Sequence, residues 1–160
     1  MRAGGEATPI TRGVERALSR GEAIKGDKVM IAPVKVQRLQ ANESGLSRFD
    51  TLEIEREMTQ FAPPAQPFPV SASTPALRFV LLQLPAGWSG ERHRTPARQI
   101  LFCLAGSVRV TPGVGDAVTV SAGDTWLMED TTGSGHTTEV ISPGPFEAVV
   151  IQLPDDALAV

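Results

Sequence analysis

The chain has 160 residues, 41% of them apolar and 21% charged, with a formal net charge of −3. That is one domain's length with enough apolar material for a core, and it excludes a chain disordered throughout. Apolar runs such as Phe79–Leu82 and Ile100–Ala105 fall far short of the roughly 20 residues that cross a bilayer as a helix, so no membrane is expected. The acidic balance also offers nucleic acid no general attraction.

Residues 1–29 carry six Lys/Arg against four Asp/Glu and few large apolar side chains. They read as a disordered or weakly helical N-terminal arm, with a short amphipathic helix around Val14–Arg20 at most. No apolar stretch in them has the length of a secretory signal. The lone cysteine, Cys103, makes no internal disulfide, so the expected location is cytoplasmic. Residues 30–160 then form one domain, 30–74 supplying N-terminal strands and a Pro-rich wrap and 75–160 the core. Val34–Leu39 is rich in β-formers. In Phe49–Met58, Leu52, Ile54 and Met58 alternate with Glu53, Glu55 and Glu57, which predicts a strand. A helix over Leu46–Gln60 competes, because Glu, Arg and Met favour helices.

Phe61–Pro75 holds five prolines and suits an extended wrap rather than a central strand or helix. Short strands follow at Ala76–Leu84, Gln99–Leu104, Ser107–Thr111, Ala117–Ser121, Thr125–Met128, His136–Ile141 and Phe146–Leu153, with Gly and Pro between them. Many short strands with such turns predict an all-β, antiparallel sandwich or barrel.

The rarer residues limit the chemistry. There is no tyrosine, and all three lysines precede residue 36. His93 and His136 are the two histidines. If Gly87–Gly106 is extended, His93, Thr95 and Gln99 share a face that Leu101 and Cys103 continue. His136 opens a later strand that approaches them if the sheet closes. Two imidazoles and an amide oxygen make a partial shell for a first-row metal.

At these positions the sequence resembles the cupin superfamily, as a small single-domain RmlC-like member. Gly87, His93, Thr95, Gln99 and Gly106 match the spacing of the first cupin motif, with Thr95 in place of the second histidine and Gln99 in place of the glutamate. Gly123 to His136 resembles the second motif, about two residues longer than usual, with Glu129 at its proline and Val140 at its asparagine. The resemblance spans roughly residues 75–153. It implies a double-stranded β-helix, or jelly-roll barrel. It also implies one divalent transition metal (Fe, Mn, Ni, Cu or Zn) on His93, Gln99 and His136, with no nucleotide cofactor. Cupins commonly dimerise through N-terminal strands, so a homodimer through Phe49–Met58 is expected.

The expected pocket is lined by Thr95, Leu101, Cys103 and Trp126 beside the metal positions, with Glu129 as a general base at its rim beside Asp130. Arg92, Arg94 and Arg98 have the opposite parity to His93 and are expected on a solvated face. Gly133-Ser134-Gly135 lacks the lysine of a phosphate loop; its glycines suit positive φ where the loop turns His136 inward. Two functions stand. One is a metal-dependent enzyme acting on a small organic molecule in the barrel lumen, an oxygenase, isomerase or lyase. The other is a non-catalytic cupin that binds a small ligand over a degenerate or empty metal site.

Overall fold

Short alternating segments broken by Gly and Pro bury their apolar side chains by laying sheet on sheet. The computed structural model describes residues 31–158, and its regular elements there are all strands. They are β1 (Val34–Ala41), β2 (Ser47–Ile54), β3 (Glu57–Thr59), β4 (Phe68–Val70), β5 (Arg78–Leu84), β6 (Ser89–His93), β7 (Gln99–Ala105), β8 (Ser107–Thr111), β9 (Val118–Ser121), β10 (Thr125–Met128), β11 (His136–Val140) and β12 (Phe146–Gln152). The expected N-terminal arm and its helix lie outside the described residues.

One sheet has six strands in the order β2-β1-β10-β7-β12-β5, and the facing sheet has four, β6-β11-β8-β9. The two share no strand pair, so the architecture is an open jelly-roll sandwich and the expected closed barrel is corrected. Pairing is not antiparallel throughout either: β1 runs parallel to β10, Gln37 opposite Trp126. A parallel neighbour needs a long crossover, and the whole chain between the two strands provides it.

Phe49–Met58 is strand rather than helix, but it stops at Ile54. Met58 belongs to β3, which pairs with β4, and it is exposed. The Pro-rich segment therefore contains a short exposed hairpin strand. β2 is held to β1 by more than its ladder. Arg38 lies opposite Asp50 and donates two hydrogen bonds to its carboxylate, at 2.7 and 2.9 Å. Gln40 adds a third at 2.6 Å.

Apolar side chains fill two layers. Leu39, Val108, Val110, Val120 and Phe146 pack between the sheets. Val36, Leu52, Ile100 and Leu127 pack on the outer face of the large sheet beneath Leu153 and Ala157. The segment after β12 thus covers part of that face, which explains why Ile100–Ala105 reads as a nearly continuous apolar run: β7 is covered on both sides over part of its length.

Candidate functional site

The site begins with strand register. His136, the first residue of β11, lies directly opposite His93, the last of β6, and opposed residues on an antiparallel pair bring their side chains together. The ring centroids are 4.9 Å apart at 52°. The register shifts by a bulge between His136 and Thr138, a device that re-aims side chains. Gly135 enters β11 with φ 71°, and a Cβ there would run into the backbone carbonyl of His93. Its own carbonyl accepts hydrogen bonds from Ser47 Oγ and Arg92 Nη1, both at 2.7 Å. Glycine is needed here for both conformation and space.

Each imidazole is anchored through Nδ1. His93 Nδ1 donates to the Glu91 carbonyl at 2.7 Å. His136 Nδ1 donates to Asp130 Oδ2 at 2.7 Å, and Asp130 Oδ1 accepts the Thr95 hydroxyl at 2.6 Å. All three residues of that chain are buried, Asp130 completely. A carboxylate on one imidazole nitrogen fixes tautomer and ring orientation, so both rings are left with Nε2 as their free edge among the described residues. Trp126 packs edge-on against His136, centroids 5.4 Å apart; its buried Nε1–H has no acceptor among the described residues.

These rings line a pocket of about 210 Å³ between the sheets. Its polar side chains are His93, Gln99, His136 and Thr138, and its walls are Leu82, Leu84, Leu101, Val108, Phe146 and Val150 with Trp88, Trp126 and Met128. A larger apolar groove, about 300 Å³, lies on the outer face of the six-stranded sheet and has no titratable side chain in its lining. The chemistry belongs to the inner pocket.

Residues 80–152 match the family model of the cupin domain. This part of the chain is a cupin domain. Solved structures resemble it more loosely. An RmlC-like cupin from Methanocaldococcus jannaschii is 14% identical, over 62% of this chain and 89% of that one, with a TM-score of 0.42. A predicted oxalate decarboxylase from Thermotoga maritima is 22% identical, over 79% and 96%, with a TM-score of 0.39. A protein from Neisseria meningitidis is 18% identical, over 52% and 84%, with a TM-score of 0.38. No curated protein matches the chain.

Within the cupin frame, His93, Gln99, Leu101, Trp126 and His136 meet at the pocket. Thr95 does not. The strand ends at His93 and a turn intervenes before Gln99, so the assumed alternation is lost and Thr95 is drawn onto Asp130. Cys103 is buried in the core between the sheets and is absent from the lining; burial, then the nearby Asp124 charge, push its thiol above the ordinary range. Glu129 points away from the pocket and pairs with Arg98, which also donates to the carbonyls of Pro154 and Asp155. Arg98 is therefore buried, contrary to the expected solvated face. The carboxylate that serves the site is Asp130. Parity marks it, since Trp126, Met128 and Asp130 alternate with outward Leu127 and Glu129.

A divalent metal needs more than this donor set supplies. Both Asp130 oxygens are engaged, Glu129 is held by Arg98, and the Thr95 hydroxyl is spent on Asp130. The Cys103 thiol is kept protonated, whereas thiolate is the form that ligates. Two imidazoles and the Gln99 amide remain, with no anionic ligand to offset the ion's desolvation. Among the described residues no three His, Cys, Asp or Glu side chains are grouped to hold a metal. The residues do not fit a tightly held ion.

Proposed function

We propose that this cupin domain binds a small organic molecule between its sheets without a resident metal, the His93–His136 pair forming the polar end of the pocket. The observation that carries the reading is the buried Thr95–Asp130–His136 chain. The residue at the motif's second histidine position locks a neighbouring imidazole in place instead of offering a ligand. The metal-dependent alternative would need a donor that the described residues have committed elsewhere.

Metal content by plasma mass spectrometry, on protein purified without chelators, tests this beside a His93→Ala/His136→Ala variant. Substoichiometric metal, equal in both proteins and not raised by added salts, is expected. Near-stoichiometric iron, manganese, nickel, copper or zinc that disappears in the variant would replace the binding reading with the metal-enzyme one.

The reading includes a homodimer. β2 is one edge of the large sheet, but the exposed apolar side chains lie toward the other edge: Phe79 and Leu81 on β5, Phe102 and Leu104 on β7. Grouped apolar exposure of this kind is what protein contacts cover. Light scattering should give twice the chain mass, and Leu81→Glu should halve it.

A further inference from the structure

We infer that the ligand of the inner pocket is an uncharged hydroxyl compound about the size of a substituted benzene ring, an inference that rests on the metal-free binding reading above. Three observations set this class. The lining contains neither lysine nor arginine and no carboxylate, and nine of its thirteen residues are apolar or aromatic. The guanidinium groups of Arg92 and Arg98 are engaged elsewhere, on the Gly135 carbonyl and on Glu129. A carboxylate, phosphate or ammonium ligand would therefore lose its hydration without gaining a counter-charge. The second observation is the direction of the imidazoles. Both Nδ1 positions are hydrogen-bonded to oxygens, of Glu91 and Asp130, so a ring carrying its one proton there offers Nε2 as an acceptor, which a ligand O–H or N–H satisfies. Among neutral donors a hydroxyl suits the site best, because it also accepts from the Thr138 hydroxyl or the Gln99 amide. The third is size. An apolar protein cavity of about 150 Å³ takes benzene, and this one offers about 210 Å³.

The chain contains a reporter for the test. Its two tryptophans, Trp88 and Trp126, both line this pocket and neither lines the outer groove, while tyrosine is absent. Benzyl alcohol, toluene and benzoate are titrated into the full chain at about pH 8, where free imidazole is neutral, and the indole N–H signals are followed by NMR with tryptophan fluorescence in parallel. Benzyl alcohol is expected to shift both indole signals saturably, with benzoate at least about tenfold weaker for want of a counter-charge and toluene between them. Benzoate binding as tightly as benzyl alcohol would overturn the uncharged class while leaving the pocket reading intact. Toluene matching benzyl alcohol would overturn the hydroxyl requirement. If no probe moves either indole signal, the pocket reading itself fails and this inference falls with it.

Discussion

His93 and His136 are cross-strand partners. Forty-three positions apart in sequence, they face each other where β6 ends and β11 begins, rings 4.9 Å apart. One is exposed and the other buried, so the pair runs from solvent into the space between the sheets. Each is held by Nδ1 alone, by a carbonyl in one case and a carboxylate in the other.

The carboxylate makes the first prediction. Asp130→Asn presents an amide to His136 Nδ1 and removes the charge that favours a proton there. Nitrogen-15 imidazole shifts should show His136 losing its Nδ1–H preference while His93, bonded to Glu91, keeps its own. Unfolding by urea should register a loss of about 1–3 kcal/mol, the usual cost of disturbing a buried hydrogen bond to a charge. An unchanged His136 tautomer would remove Asp130 from its positioning role.

Glu129 behaves differently. It pairs with Arg98, and both side chains are largely buried. Glu129→Gln leaves the guanidinium with a weaker acceptor and should destabilise the fold by about 1–3 kcal/mol. The native His136 shifts should stay in place, because Glu129 faces away from the pocket. Movement of those shifts would return Glu129 to the site.

The Arg38–Asp50 pair predicts an acid response. The guanidinium hydrogen bond, first among its causes, holds the Asp50 carboxyl below its ordinary range despite partial burial. Its stabilisation is therefore full above the unfolded aspartate value, about 3.9, and is lost as pH falls through the lowered folded value. With both side chains about a quarter exposed, 23% and 28%, the contribution is at most about 1 kcal/mol. Urea midpoints of the protein and Asp50→Asn should differ at pH 6 and draw together as pH falls below the ordinary aspartate value. A constant gap across that range would refute the assignment.

Cys103 should be inert in the folded protein. Burial raises its thiol, and thiolate is the reactive form. Ellman's reagent is expected to label it slowly in buffer and completely within minutes in denaturant. Fast labelling of the native state would mean that the core opens at β7.

Strand after strand was legible in the sequence because the side-chain period of two is local. Ser107–Thr111 and Thr125–Met128 stand where alternation and turn residues put them, and Gly87, His93, Gln99 and Gly106 keep the spacing of the first cupin motif. The same parity separates Asp130 from Glu129. Other features required the folded chain. Thr95 left its expected face because the strand stops at His93 and the following turn carries it to a carboxylate 35 positions away. Arg98 became buried because the segment after β12 returns over it. The parallel β1–β10 pair joins strands separated by most of the domain. Composition and spacing determined the strands, the two imidazoles and the family. Tertiary contacts alone decided which oxygen holds which nitrogen, since register and the loops between strands bring distant residues together, and no local period encodes that.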